Sequence, residues 1–426
     1  MVTPETAPPR WRPTAALARA VVLGGVLLLL AVLLRRPDLV VLGAPLLLGA
    51  GIGLAARPSG EPTLTLAGPV DALLEGGRAA ALATVDVPAG VDVAAVGIVL
   101  PAGLEPLSGA SAVLIEGRRE VRLTFRAVRW GRRQVGPAYL RATGGYGTLS
   151  WPVLRSGTVS VATWPLRDGF HAAETVPRAE GLVGAHRSRR PGEGGDVAGV
   201  RQFQPGDRLR RINWRVTGRT GDLHVTATYS DRDTEVLLVL DSGQDLGRPP
   251  ETSLDIGVRA AAAVAEHYLR AGDRVGFIDL GRPQRPVPAR NGRNHLVRLL
   301  DVMLDARPQG GGALPSLAEV AYLGSTDALV VLLSPLATPE ALAAVATLSR
   351  SGRSVIAVDT LPPDLRPDER SPWTALAFRL WVLRRDADLS RLAELGVPRV
   401  AWRGSGSLDA VLRDAALAAR AARAGR

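Results

Sequence analysis

Two apolar runs near the amino terminus constrain this chain more than any other feature. Ala15 to Leu34 carries a single charge, Arg19, and Leu39 to Ala56 carries none. About twenty apolar residues span a bilayer core, and the second run is near the short end of that range. Neither run has the polar face that a surface helix of a soluble domain needs. Only Arg35-Arg36-Pro37-Asp38 separates them, so the pair is expected to form a helical hairpin with a tight turn. A secretory signal is the weaker reading of the first run. A second apolar run follows at once, and Arg35-Arg36 is a poor cleavage context. Arg10, Arg12 and Arg19 flank the first span and Arg57 follows the second, against Arg35 and Arg36 in the turn. That balance predicts both termini inside and residues 57–426 in the cytoplasm of a multi-pass membrane protein.

At 426 residues the chain is long enough for two or three domains with cores of their own. The net charge is +11, and all 52 basic residues are arginine. This balance favours anionic partners such as nucleic acid, acidic lipid or an acidic protein face. An arginine-for-lysine bias of this kind also follows from a GC-rich genome, which explains the overall charge but not a local cluster. Cysteine is absent, which removes disulfides, thiolate metal sites and a cysteine nucleophile.

Residues 1–60 therefore read as the anchor, and residues 61–165 as a β-rich segment. Short β-prone runs alternate there with Gly and Pro: Thr63–Leu66, Ala79–Val87, Val91–Val99, Ala112–Ile115, Glu120–Val128, Ala138–Ala142 and Thr158–Thr163. Alternation in Val121-Arg122-Leu123-Thr124-Phe125-Arg126 marks a half-buried strand. Some seven short strands suggest an immunoglobulin-like antiparallel sandwich. The segment clusters no titratable residues, which leaves spacing, protein contact, or packing on the carboxy-terminal domain with no separate function as its role.

Residues 235–426 alternate strand and helix. Strands are expected at Glu235–Leu240, Arg274–Leu280, Ala328–Leu333, Ser354–Asp359 and Arg399–Trp402. Helices are expected at Leu254–Leu269, Asn294–Leu304, Pro339–Arg350, Asp388–Leu395 and Leu408–Ala424. This is the pattern of an α/β fold, a parallel sheet with helices on both faces. Sites in such sheets lie beyond the carboxyl ends of the strands, which brings Asp241, Asp279 and Ser334 to one rim. Asp241, Ser242 and Asp245 are the metal-ligating candidates, with magnesium the ion that hard oxygen ligands suit. The pattern is degenerate, because Gly243 and Asp245 stand where two hydroxyls would complete it. Without a metal, Asp241 and Ser242 would cap a loop or helix start, and no cofactor is needed.

Residues 166–234 hold a dense arginine motif, Gly199 to Val225. Arg201, Arg208, Arg210, Arg211, Arg215 and Arg219 surround the turn Pro205-Gly206-Asp207 and the pair Asn213-Trp214. Arginine forks bind carboxylate or phosphate in bidentate fashion, so one reading is an anionic partner surface. The other is an internal ion-pair lattice using Asp207 and Asp222. Nucleic acid would want more stacking aromatics than Trp214 alone. The five histidines lack a nucleophile elbow or a zinc-helix spacing, so the chain is read as non-enzymatic.

At this motif the chain resembles the bacterial domain of unknown function 58 family. The residues that carry the likeness are Gly199, Arg201, Phe203, Pro205, Gly206, Asp207, Arg211, Ile212, Trp214, Arg219, Gly221, Leu223 and Val225. Arg129-Trp130-Gly131-Arg132, Gly136-Pro137 and Tyr146-Gly147 resemble its upstream β segment, and the paired apolar runs its usual anchor. Gly218 departs from the alanine common there. The resemblance implies a von Willebrand factor A-like domain from about Glu235. It also implies a membrane-bound partner of a MoxR-type AAA ATPase, in chaperone-like assembly or envelope maintenance, beside other membrane proteins. The alternative it leaves is a metal-dependent, adhesion-like receptor built on the same domain.

Overall fold

The computed structural model describes residues 10–107, 111–114, 117–166, 191–204, 212–229, 235–281, 286–308, 328–350, 353–368, 371–404, 406–407 and 409. The chain divides into two compact units, Met1–Trp164 and Pro165–Arg426.

In the first unit, helices α1 (Ala15–Leu34) and α2 (Asp38–Ala55) form an antiparallel pair. The Thr14 hydroxyl caps α1 by accepting from the Leu17 N–H at 3.3 Å. Arg35 ends α1 in the left-handed region at φ 52°. The buried residues are Leu17, Gly24 and Ala31 on α1, and Gly43, Ala50 and Gly53 on α2. Small residues let the backbones approach, as in membrane helix pairs. A Cβ added at Gly43 would lie 3.0 Å from the Leu27 Cβ and 3.1 Å from the Gly24 carbonyl. Most other apolar side chains of both helices are exposed, among them Val22, Val32, Leu33 and Val41. Each helix is long and apolar enough to cross a membrane.

The strands that follow are β1 (Thr63–Ala67), β2 (Arg78–Val87), β3 (Val91–Ile98), β4 (Leu104–Pro106), β5 (Ser111–Leu114), β6 (Gly117–Ala127), β7 (Gly131–Val135), β8 (Ala138–Gly144) and β9 (Val159–Trp164). One sheet has the order β1-β2-β6-β4. A second contains β8, β3 and β5, extended by Leu149–Ser150 and Arg12–Pro13. A third joins β9 to β7 and, in parallel, to Leu73–Leu74. Alternation along β2 and β6 sends Ala83, Val85, Val121 and Leu123 into a core shared with Val96, Ala138 and Leu140 of the second sheet. Ala81, Phe125 and Ala127 meet Val135 and Val161 of the third. The four-stranded sheet thus faces the other two across a continuous apolar layer.

The second unit opens with β10 (Pro191–Gln202), helix α3 (Trp214–Thr220) and β11 (His224–Tyr229). It continues with β12 (Glu235–Leu240), α4 (Ser253–Arg270), β13 (Arg274–Asp279), β14 (Val287–Arg290), α5 (Arg293–Met303), β15 (Leu329–Ser334), α6 (Pro339–Arg350), β16 (Ser354–Asp359), α7 (Thr374–Glu394) and β17 (Arg399–Ala401). The sheet order is β14-β13-β12-β15-β16-β17. Leu237, Val239, Ile278, Val330 and Leu332 pack on one face with Val345 and Leu348 of α6 and Leu389 and Leu392 of α7. The Leu240 side chain reaches α4 on the other face, where a Cβ on Gly257 would lie 3.0 Å from it.

Two expectations change here. The sheet is not wholly parallel, because β14 pairs antiparallel with β13. Only seven residues separate β13 from β14, fewer than the dozen or more that a parallel crossover takes. The expected short helix Asp388–Leu395 is the last part of α7, which begins at Thr374. Its first half is largely apolar, broken by Arg379, and Leu376, Leu380 and Leu383 there are exposed, as is Trp373 at the N-cap. The expected final helix Leu408–Ala424 lies outside the described residues apart from Asp409.

Candidate functional site at the carboxyl edge of the sheet

In strand order along the chain, the sheet reads three-two-one-four-five-six. The order reverses between β12 and β15, and the carboxyl ends of those strands are where sheets of this kind hold ligands. Asp241 follows β12 and Ser334 ends β15. The Ser334 hydroxyl donates to Asp241 Oδ2 at 2.6 Å across this junction. The Gly243 N–H donates to Oδ1 of the same carboxylate at 3.1 Å. Burial pushes the Asp241 carboxyl above its usual range, and the bonds from Ser334 and Gly243 pull it back. On the neighbouring strand, Asp279 Oδ1 accepts from the Ser242 hydroxyl at 2.5 Å and from the Gly281 N–H at 3.0 Å. The rim residues read from the sequence, Asp241, Asp279 and Ser334, are therefore brought together with Ser242.

Asp245 does something else. Its Oδ1 accepts from the Leu254 N–H at 3.2 Å, in the first turn of α4. The same helix carries a capping box between Thr252 and Asp255. Asp245 thus helps to fix the loop before α4.

These contacts decide how well the site suits magnesium. Gly243 supplies no side-chain oxygen, Asp245 is used on the α4 backbone, and both rim aspartates already accept from hydroxyl and N–H donors. Among the described residues no group of three or more His, Asp or Glu could hold a metal. The donor set does not fit a dedicated divalent site.

A third carboxylate, Asp359 at the end of β16, completes the edge. It takes Arg385 Nη2 of α7 at 2.7 Å and Arg399 Nη1 of β17 at 3.2 Å. Arg385 also donates to the Pro335 carbonyl from Nε at 3.1 Å and from Nη2 at 2.7 Å. That fixes the turn in which Leu336 sits at φ 47°, a region that costs a branched residue energy. Arg385 escaped the sequence reading because the helix bearing it was expected to begin at Asp388. The signal available was one arginine in the charged run Arg384-Arg385-Asp386, a pattern shared by many solvated arginines in this chain.

The arginine motif folds as an antiparallel ribbon with a helix at its end. Arg201 stands opposite Val225, and Gln202 opposite His224. Asn213 caps α3 by accepting from the Val216 N–H at 3.2 Å, and its own N–H donates to the His224 carbonyl at 2.8 Å. The Thr217 hydroxyl accepts from the His224 N–H at 3.0 Å, and Gly221 closes the helix at φ 78°. Asn213 is therefore a lock. Trp214, the first residue of α3, is 70% exposed, and this short helix buries none of its residues. Arg215 and Arg219 are exposed as well. Arg201 Nη1 donates to the Gln202 carbonyl at 3.0 Å. Asp222 enters the ribbon through its carbonyl, 2.8 Å from His224 Nδ1. Pro205, Gly206, Asp207, Arg208, Arg210 and Arg211 lie outside the described residues.

Residues 199–366 match the family described as protein of unknown function DUF58. Uncharacterized proteins of Mycobacterium tuberculosis and Mycobacterium bovis are each 34% identical over 249 residues, covering 55% of this chain and 70% of theirs. The chain belongs to the DUF58 family. The uncharacterized protein YeaD of Bacillus subtilis is 24% identical over 104 residues, 24% of this chain and 25% of its own length. The DUF58 match contains the ribbon from Gly199 onward with its capped helix, and the sheet edge from Asp241 to Asp359. The match ends before α7, so Arg385, which closes the Asp359 cluster, lies beyond it.

Proposed function

We propose that this DUF58 protein is a membrane-anchored interaction protein that works by docking a partner on its α/β unit rather than by catalysis. The observation that carries the reading is the exposed apolar stripe of α7, Trp373, Leu376, Leu380 and Leu383, in a unit that also exposes Trp214 beside Arg215 and Arg219. Contiguous exposed apolar surface marks interaction sites. Tryptophan and arginine are the residues most enriched where binding energy concentrates. The partner class expected from the family resemblance is a MoxR-type AAA ATPase, and a partner of that class calls for a soluble part in the cytoplasm. A von Willebrand factor A-like domain fits the sheet order with its antiparallel edge. An immunoglobulin-like domain fits the facing sheets of residues 61–165. The metal-dependent receptor draws no support from the contacts of Asp241 and Asp245.

The test is capture of a MoxR-type AAA ATPase by the full-length protein in detergent. Trp373→Ala with Leu380→Ala should lower its recovery at least tenfold, and Arg215→Ala with Arg219→Ala more modestly. Recovery unchanged in both variants would defeat the docking role of these surfaces. A membrane-impermeant protease that digests the α/β unit in intact cells would defeat the cytoplasmic placement.

A further inference from the structure

The amino-terminal hairpin does not hang from the β domain on a loose tether. Both of its ends are built into one face of that domain. Ahead of α1, Trp11 is buried and meets Trp151 edge to face at 5.3 Å, and its Nε1 donates to the Gly60 carbonyl at 3.0 Å. Arg12 and Pro13 pair with Ser150 and Leu149. The Thr14 N–H donates to the Thr148 carbonyl and the Thr14 hydroxyl to the Gly147 carbonyl, both at 2.8 Å. At the far end of α2, Gly53 lies so close to Thr148 and the Gly145 carbonyl that a Cβ there would collide with both. One turn, residues 144–148, is thus clamped between the start of α1 and the end of α2.

At the tip of this turn stands Tyr146, 75% exposed and held at φ 57°. A bulky residue rarely adopts that conformation, and among the described residues its ring is left largely open to solvent. Around it the same end of the hairpin exposes Arg10, Arg12 and Arg57, with Arg19 one turn into α1. Glu61 is the exposed acid nearby in sequence, and Asp92 is engaged with the Gly147 N–H at 2.7 Å.

We propose that this end of the unit is a collar that binds anionic phospholipid headgroups, with Tyr146 seated at the bilayer interface and Arg10, Arg12, Arg19 and Arg57 on lipid phosphates. The proposal rests on the reading that α1 and α2 cross a bilayer. If they do, hydrogen bonds at Thr14 and packing at Gly53 set the Tyr146 turn at headgroup depth, continuous with the lipid-facing surface of the helices. Amphipathic aromatic rings favour that depth, and arginines near helix ends reach phosphates from it. The collar would fix the tilt of the β domain on the membrane, so its remaining surfaces face partners in one orientation.

The absence of cysteine makes the test direct. The full chain is reconstituted in nanodiscs of phosphatidylcholine with phosphatidylglycerol, carrying one nitroxide at Tyr146→Cys, Leu30→Cys or Val70→Cys. Collision with oxygen and with a water-soluble nickel chelate reports depth. Leu30→Cys should be oxygen-accessible and shielded from nickel, Val70→Cys the reverse, and Tyr146→Cys intermediate on both. Tyr146→Cys as aqueous as Val70→Cys, with Leu30→Cys in lipid, overturns the collar and leaves the membrane span standing. Shielding from both reagents means a protein covers the turn and also overturns it. An aqueous Leu30→Cys defeats the span and the collar together. Separately, replacing Arg10, Arg12 and Arg57 by Gln should lower the ratio of co-purified phosphatidylglycerol to phosphatidylcholine by roughly fivefold per arginine. Replacement by Lys should largely keep it. An unchanged ratio in the Gln variant removes the arginines from lipid binding.

Discussion

At the scale of single residues, the sheet edge turns on Arg385. Its side chain and that of Asp359 are 9% and 7% exposed, so neither charge is well hydrated. Removing one partner of a buried pair leaves the other unpaired in a poor solvent, which costs about 3–5 kcal/mol. Arg399 is half exposed and still contacts Asp359, so Arg385→Met should fall near the lower figure, read as a lowered denaturant midpoint for the α/β unit. Adding Asp359→Asn should return a good part of the loss, because no buried charge is then stranded. His267 offers a second measurement. Burial holds its pKa below the ordinary value, while the charge of Asp409 works the other way. The native state therefore resists protonating it while the unfolded chain does not. Its contribution to stability is present above about pH 6.5 and is lost as pH falls through the depressed folded value. His267→Gln should narrow the drop in Tm between pH 7.5 and pH 5 relative to the parent chain. An equal drop in both would assign the acid sensitivity elsewhere.

At the scale of elements, glycine spacing explains the hairpin. Gly24 and Gly43 let two helices without a polar face meet backbone to backbone, and Gly53 continues the contact into the β domain. Gly53→Val should force α2 off the turn at Thr148, at a cost of about 1–3 kcal/mol for overpacking. Limited proteolysis of the full chain in detergent should then cut residues 56–62 faster, with the α/β unit unaffected. Elements differ in how much of them a sequence displays. Ser354–Asp359 and Pro339–Arg350 were legible to the residue, because buried strands are apolar runs and a helix that opens on a proline has a marked start. Strand β14 was not, since Val287–Arg290 is four residues that include Pro288 and follow Pro286, and so reads as loop. Most of α7 was missed because its first half lacks the 3.6-residue alternation that reveals a helix packed on a core.

At the scale of the whole molecule, orientation depends on few charges. Three exposed arginines, Arg10, Arg12 and Arg57, flank the base of the hairpin, and Arg35 and Arg36 sit at its turn with Asp38 pairing Arg36 at 3.1 Å. Changing Arg10, Arg12 and Arg57 to Glu should leave the turn as the more basic side and invert a measurable fraction of chains. A reporter enzyme fused at the carboxyl end, active on one side of the membrane alone, would register the change. No inversion would mean that orientation is set by the folded domains and not by the hairpin.

By itself the sequence determined the composition-driven parts of this protein: two helices that shun water, a β-rich segment, an alternating α/β unit, and the family motif. These follow from local patterns, because burial at a fixed period and turn residues act over a few positions at a time. The tertiary structure alone decided which of the marked residues meet. It joined Asp241 to Ser334 across 93 positions and Asp359 to Arg385 across 26, turned Asp245 to the backbone of α4, and left Trp214 exposed. It also clamped the hairpin to the turn at Tyr146. Such pairings depend on strand order and on close approach between segments distant in the chain, and no local pattern of residues carries that information.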